Sequence, residues 1–135
     1  MSTYSGACAA NAGRVGSNRF KVPNYHTVKN CNLMVDVLFN HGPINVGMFT
    51  DANWFGYTGG IIPSCNRQPT GHSVLLVGFQ QSTNPSNANQ NYWRFKNSWG
   101  IHWGEKGYFR AYRNQLDSAN GYCSMCNFGS SFTAP

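Results

Sequence analysis

The chain has 135 residues, a formal net charge of +6 and only 10% charged residues. This length fits one domain or part of one, and the low charge means that Asn, Ser, Thr and Gln must supply most of the polar surface. The basic residues are scattered and form no run, which argues against nucleic-acid binding, and no apolar run is long enough to span a membrane.

Residues 1–29 are rich in Gly, Asn and Ser and predict an irregular lead-in with at most one short strand. A helix should follow, because Asn30 can cap its first turn and Gly42-Pro43 can end it. Its apolar residues recur at i, i+3, i+4, i+7 and i+8. We expect this stripe to pack on the sheet: Cys31, Met34, Val35, Leu38 and Phe39.

The rest of the chain predicts strands joined by loops. Residues 51–71 contain four glycines and two prolines and predict a long loop, residues 80–91 a polar surface loop and residues 114–121 a polar turn. The run from 72 to 79 is mostly apolar, so we expect it to be buried on both faces. Strands are predicted over 44–49, 72–79, 92–96, 107–112 and 128–132. One helix followed by these strands indicates an α+β domain over 30–135, with a small antiparallel sheet or barrel.

Five cysteines occur in the chain. Cys123-Ser-Met-Cys126 lacks a second pair that would complete a zinc site, so no metal site is expected, nor any cofactor. Several cysteines with little charge are typical of an oxidising compartment, and the odd count leaves at least one thiol unpaired or paired outside the chain. No targeting segment is recognisable at Met1, so we expect that Met1 is not the natural start or that the chain is a processed piece.

One pair of side chains indicates catalytic chemistry. His72 begins a predicted strand, and Asn97 ends another strand 25 residues later. If the two strands pair antiparallel, both side chains lie at one edge of the sheet. A histidine held by an amide oxygen is an oriented general base, and an aromatic lid such as Trp99 would shield the hydrogen bond from water. A single histidine is more often structural, which is our interpretation of His26, His41 and His102.

Several blocks resemble the papain-like cysteine proteases of the cathepsin L type. A His block and an Asn-Ser-Trp-Gly block occur in the family's order, and shorter matches cover nearly all of the chain. The matching blocks are Tyr4 to Cys8, Pro43-Ile44-Asn45-Val46, Trp54 to Ile62, Gly71-His72-Ser73-Val74-Leu75-Leu76-Val77-Gly78, Tyr92-Trp93-Arg94-Phe95-Lys96-Asn97-Ser98-Trp99-Gly100, and Trp103-Gly104-Glu105-Lys106-Gly107-Tyr108.

The resemblance implies a role for each of these side chains. His72 would be the base of a thiolate–imidazolium pair, Asn97 would hold its ring, and Trp99 would cover their contact and line the leaving-group side of the cleft. Gly71 and Gly47 would line the cleft near the substrate's side chains, together with a residue near Phe128 or Gly129. The substrate would be a peptide or protein.

The family's nucleophile is missing from the chain. It lies in a Cys-Gly-Ser-Cys-Trp type of run about 130–150 residues before the histidine, and no such run occurs here; Cys8 is too close to His72 and has the wrong motif. The chain therefore resembles only the C-terminal, β-rich right-hand domain, with the Cys-bearing half absent. We expect no peptide hydrolysis by the chain alone, and pairing with the missing half or with a copy of itself. The alternative is a truncated or degenerate, non-catalytic domain that acts as a structural or binding component.

The resemblance also implies disulfide bonds and a compartment. Cys65 would pair with Cys123, leaving Cys31 for Cys126, although Cys65 with Cys126 is the open alternative. Cys8 would be free or bonded to another chain. The expected location is the lysosome or vacuole, or outside the cell.

Overall fold

The computed structural model describes residues 25–113, 120–128 and 130–132. These residues form one α-helix, α1 (Cys31–Asn40), and three short 3-10 helices over Ala52–Gly56, Pro85–Gln90 and Tyr122–Ser124. The strands are β1 (His26–Val28), β2 (Ile44–Asp51), β3 (Ile61–Ile62), β4 (Arg67–Gln80), β5 (Tyr92–Lys96), β6 (Tyr108–Tyr112) and β7 (Ser130–Phe132).

All seven strands belong to one sheet, in the order β1-β7-β2-β4-β5-β6-β3. Every neighbouring pair is antiparallel except β3 and β6, which run parallel. The helix lies against β2 and β4. The predicted α+β class is therefore confirmed. None of the helices among the described residues combines the length and the apolar character that crossing a membrane requires.

The helix begins and ends where its sequence signals place it. The Asn30 side chain accepts a hydrogen bond from the Asn32 N–H at 2.8 Å, which satisfies one of the free donors of the first turn. Met34 is fully buried, but Phe39 is 84% exposed, so the prediction that Phe39 packs on the sheet was wrong. At about 100° per residue, Phe39 lies about 140° around the helix from Met34 and therefore at the rim of the stripe.

The stretch 51–71 is not a continuous loop, because it contains a 3-10 helix and β3, and β4 differs from its predicted form in two ways. Residues 67–71, predicted as loop, belong to β4, and the ladder skips from Phe49 opposite Gly71 to Asp51 opposite Arg67. Pro69 lies inside this irregularity, where its missing N–H removes no ladder hydrogen bond. The prediction that residues 72–79 are buried on both faces was also wrong. Burial along β4 alternates, because successive side chains point to opposite faces and only one face carries the core.

Aromatic rings and two disulfide bonds fill the core. The Phe95 and Phe109 rings stack with their centroids 4.7 Å apart, and both side chains are fully buried. The structure joins Cys31 to Cys126, which ties α1 to the segment before β7, and Cys65 to Cys123. Of the two pairings that the sequence left open for Cys65, the structure therefore has the one with Cys123. Cys8 lies outside the described residues.

Replacing Gly121 with Ala should destabilise the protein by about 2–3 kcal/mol. Gly121 has φ 63°, and a Cβ there would lie 2.6 Å from the Cys126 Sγ and 2.7 Å from the Cys31 Sγ. The disulfide bond leaves those sulfur atoms little freedom to move away. Urea denaturation measures the loss. The matched control is Gly56→Ala, because Gly56 has no heavy atom within 4 Å of an added Cβ and no left-handed backbone; equal losses in both variants would contradict the clash.

Candidate active site

The structure brings His72 and Asn97 together on the two central strands of the sheet, where β5 ends. His72 lies in β4 opposite Met48 of β2, and Asn97 directly follows β5, which pairs antiparallel with β4. The His72 Nε2 and the Asn97 Oδ1 are 2.9 Å apart. This is the juxtaposition that the order of the two strands leads one to expect.

The geometry of Asn97 determines which histidine nitrogen carries the proton. The Asn97 Oδ1 also accepts a hydrogen bond from the Ser98 backbone N–H at 2.8 Å. The backbone N–H of Asn97 donates to the Gly107 carbonyl oxygen at 2.9 Å. An amide oxygen can only accept, so the His72 Nε2 must donate and Nδ1 is left to accept a proton. Asn97 is only 7% exposed, which keeps this hydrogen bond largely out of water.

The Asn97 amide nitrogen is the polar atom of this pair that the surroundings leave unsatisfied. Its Nδ2 is buried and has no hydrogen-bond partner among the described residues. Because the amide oxygen accepts two hydrogen bonds and the amide nitrogen donates none among the described residues, the side-chain orientation is fixed through the oxygen. That is the orientation a ring-holding asparagine requires.

Two indoles cover the His72 ring. Trp99 lies with its centroid 5.7 Å from the imidazole and is 38% exposed, and Trp54 lies 5.5 Å away in an edge-to-face arrangement and is fully buried. The two indoles are 6.0 Å apart, and Trp103 packs edge-to-face on Trp99 at 5.1 Å. The histidine is thus covered by aromatic surface on the Trp54 and Trp99 sides.

Trp54 is a contact of His72 that sequence reasoning missed. It was noted only as the start of a family loop, and the signal that could have identified it is its place in an aromatic pair directly after β2. Its indole N–H donates to the Tyr122 hydroxyl at 3.1 Å, and that hydroxyl donates in turn to Asp51 Oδ2. Burial, with the Asp51 carboxyl group beside it, raises the pKa of Tyr122 well above its usual range.

The glycines assigned to the cleft lie beside His72 on the β2–β4 ladder. Gly71 pairs with Phe49, and Gly47 pairs with Ser73. A Cβ on Gly47 would lie 3.4 Å from the Phe128 Cβ, and the half-exposed Phe128 ring packs edge-to-face on Phe49 at 4.8 Å. The surface next to His72 therefore carries no side chain at the two glycines, and the Phe128 and Phe49 rings lie beside Gly47. Gly129 lies outside the described residues.

One cluster has the residue types of a metal site. Asp51, Cys65 and Cys123 place their ligand atoms within 4.8 Å of one another. The two sulfur atoms are bonded to each other, however, and a disulfide sulfur is not the thiolate that a metal prefers. With its two cysteines joined in a disulfide bond, the cluster is structural rather than a metal site.

Comparison with known proteins gives one family. The family model described as "Papain family cysteine protease" matches residues 2–134. The chain is 42% identical over 81 residues to a viral cathepsin of Spodoptera litura multicapsid nucleopolyhedrovirus, covering 60% of this chain and 22% of that protein. It is 36% identical over 112 residues to cathepsin 7 of Mus musculus, covering 80% and 32%.

Solved structures agree with the sequence matches. Bromelain from Ananas comosus, in complex with the E64 inhibitor, aligns with a TM-score of 0.64 and 30% identity, covering 82% of this chain and 49% of that one. Procathepsin L2 from the larval midgut of Tenebrio molitor aligns with a TM-score of 0.70 and 27% identity, covering 96% and 38%. The chain spans 22% to 33% of the length of the first curated relatives that it matches.

Proposed function

Because the chain belongs to the papain family of cysteine proteases, we propose that it supplies the catalytic histidine and the asparagine that orients it. The observation that carries this proposal is the 2.9 Å contact between the His72 Nε2 and the Asn97 Oδ1. It leaves Nδ1 as the basic atom, and Nδ1 is therefore the atom that faces the nucleophile.

In this reaction the nucleophile is a cysteine thiol on the Cys-bearing half of the protease. The thiol proton moves to the His72 Nδ1, and the thiolate attacks the carbonyl carbon of the scissile peptide bond. The imidazolium then donates the same proton to the leaving amine nitrogen, which breaks the carbon–nitrogen bond and leaves a thioester. A water molecule hydrolyses the thioester, with His72 again accepting the proton.

Asn97 stabilises the imidazolium because its oxygen accepts from Nε2 throughout the cycle. Trp99 covers that hydrogen bond on the side where the amine leaves, at 5.7 Å from the ring. Gly47 and Gly71, with Phe128 beside them, form the wall along which a substrate side chain lies. Because Gly47 and Gly71 carry no side chains and the Phe49 and Phe128 rings lie beside Gly47, an apolar substrate side chain is favoured there.

The described residues contain no free cysteine thiol. Cys31, Cys65, Cys123 and Cys126 are all in disulfide bonds. We therefore propose that the chain acts together with a Cys-bearing half, and that the 135 residues alone do not hydrolyse peptides. The alternative function, a non-catalytic structural or binding domain, is favoured by the same cysteine bonding. Retention of the His72–Asn97 contact favours the catalytic role.

Papain-family relatives and two disulfide bonds together indicate the secretory or lysosomal pathway. Within that pathway we propose the lysosome, the vacuole or the cell exterior as the site of action.

The proposed pair is tested by NMR on the ¹⁵N-labelled chain. Long-range spectra of the imidazole should show the proton on the His72 Nε2, and this proton should exchange slowly with water. Asn97→Ala should speed its exchange about tenfold, because one hydrogen bond of about 1.4 kcal/mol is lost. Asn40→Ala is the matched control, since the exposed Asn40 bonds only within its helix. A proton on Nδ1, or equal exchange in the two variants, would rule out the pair.

Incubation of the same chain with a fluorogenic peptide and a thiol-directed protease probe completes the test. No turnover and no labelling are expected from the 135 residues. Turnover would place the nucleophile on this chain and overturn the proposed division of the site.

A further inference from the structure

Hydrogen bonds between buried side chains connect a carboxyl group in the core to Trp54, the indole that packs on the His72 ring. Asp51 is fully buried, and both of its carboxyl oxygens are engaged. Oδ1 accepts the N–H of Asn53 at 2.9 Å and that of Asn66 at 3.1 Å, while Oδ2 accepts the Tyr122 hydroxyl. A carboxyl group in the core is costly unless it is satisfied in this way.

Tyr122 carries the connection onward to the indole. Its hydroxyl donates to Asp51, so the remaining lone pairs can accept, and the Trp54 indole N–H donates to them at 3.1 Å. Tyr122 is 6% exposed and Trp54 is fully buried, so water has little access to replace either partner. The direction of these hydrogen bonds is therefore fixed: the indole donates to the phenol, and the phenol donates to the carboxyl group.

Trp54 is held from both ends. Its backbone carbonyl oxygen accepts the Trp103 indole N–H at 2.9 Å, and its ring packs on Phe109 with the centroids 5.1 Å apart. The same ring meets His72 at 5.5 Å and Trp99 at 6.0 Å. Trp54 thus fixes the surface against which both the base and its lid are packed.

A disulfide bond brackets the junction at Asp51. Cys65 directly precedes Asn66, whose N–H donates to Asp51, and Cys123 directly follows Tyr122. The Cys65–Cys123 bond therefore joins the two segments that supply donors to one carboxyl group. The disulfide bond therefore helps to hold the Asp51 carboxyl group and the Tyr122 phenol, and through them the Trp54 indole, in place.

We propose that Asp51, Tyr122 and Trp54 form a positioning relay that holds the His72 ring in register with Asn97. Trp54 packs on the His72 ring, and Asp51 and Tyr122 hold Trp54, so all three act through the position of the histidine. The inference rests on the proposed role of His72 and goes beyond it, because it assigns a function to a buried carboxyl group and a phenol that the catalytic pair does not use. A catalytic contact such as that between His72 and Asn97 stays rigid only when the groups packed against it are themselves fixed in position.

The test removes one hydroxyl. Tyr122→Phe leaves the Trp54 indole N–H and one Asp51 oxygen without a partner, while the ring still fills its place. The matched control is Tyr57→Phe, because Tyr57 is also buried and its hydroxyl also donates one hydrogen bond, to the Gly60 carbonyl oxygen. Both variants should lose stability. Only Tyr122→Phe should disturb the histidine.

The readout is NMR of the disulfide-intact chain. In Tyr122→Phe the His72 Nε2 proton should exchange with water about tenfold faster, and the Trp54–His72 nuclear Overhauser effect should weaken. Tyr57→Phe should change neither by more than about twofold. Asp51→Asn is the second variant, since it keeps the shape but places an N–H against the Tyr122 hydroxyl, and it should reproduce the Tyr122→Phe result.

The outcomes separate the two proposals. If the wild-type chain lacks a proton on Nε2, the proposed catalytic pair fails. If the wild-type proton is present and slow, but Tyr122→Phe and Asp51→Asn leave it as slow as Tyr57→Phe does, the relay is refuted and the catalytic pair stands. Faster exchange in all three variants would show that general loss of stability is the cause, and would also refute the relay.

Discussion

Replacing His72 with Ala should lower kcat/KM about a thousandfold in a protease completed by joining the Cys-bearing half of a papain-family enzyme to this chain. The loss is large because one nitrogen performs two tasks. It removes the thiol proton before attack and returns it to the leaving amine. Without that nitrogen the thiol has its ordinary pKa of about 8.5 and remains mostly protonated at neutral pH.

The same chimera distinguishes the base from its positioning residue. Asn97→Ala should lower kcat/KM by about ten- to a hundredfold, because a hydrogen bond to a charged ring contributes about 1.5–3 kcal/mol. His102→Ala should have no effect, since His102 is exposed in a turn. Alkylation of the nucleophile at pH 6 supplies a second measure. It should be fast with His72 present and slow in His72→Ala, and full activity in that variant would show that another group is the base.

Removing the Cys31–Cys126 bond should cost about 4–5 kcal/mol of unfolding free energy. The two cysteines are 95 residues apart in sequence, so the bond closes most of the described chain into a loop and greatly restricts the unfolded state. Because small domains are stable by only about 5–15 kcal/mol, this single change uses up much of the margin. Urea denaturation of the Cys31→Ala/Cys126→Ala double variant measures it.

Reduction of the wild-type chain provides the control for this bond. Dithiothreitol opens both disulfide bonds, so the reduced wild-type protein should denature at or below the urea midpoint of the oxidised double variant. Both cysteines are nearly inaccessible in the folded state, at 6% and 0% exposure, and the bond should therefore resist reduction until urea is added. A double variant as stable as the oxidised wild type would contradict the stapling role.

Local signals in the sequence were sufficient for α1, β5 and β6, but not for β3, which lies in the predicted loop over 51–71. Asn30 and the Gly42-Pro43 pair limit α1 because capping and chain termination depend on neighbouring residues only. The start of β4 was missed because Gly71 and Pro69 are loop formers by local propensity, whereas pairing with β2 extends the strand to Arg67. The exposure of Phe39 was missed because the sequence of α1 shows its apolar face but not how much of that face the sheet covers.

The candidate site divides in the same way. The contact between His72 and Asn97 could be anticipated because antiparallel pairing of the predicted strands 72–79 and 92–96 brings the start of the first beside the end of the second. The structure keeps this contact although β4 begins earlier, at Arg67. The bond between Tyr122 and Asp51 spans 71 residues and follows no motif. It arises from how the end of β2 packs against the 3-10 helix over Tyr122–Ser124 and from the Cys65–Cys123 bond. Neither feature produces a periodic pattern in the sequence.

The pairing of β1 with β7 also bears on how the protein is synthesised. His26 lies opposite Phe132, so β7, which follows every other described strand in sequence, separates β1 from β2 in the sheet. β1 therefore takes its place in the sheet only after β7 has been made, and Cys31 meets Cys126 only at the same late stage. Cys65 and Cys123 come earlier in the chain, so a Cys31 thiol that is oxidised too soon would join a wrong sulfur. Long-range pairing of this kind is slow, and we therefore expect the native Cys31–Cys126 bond to form late in folding.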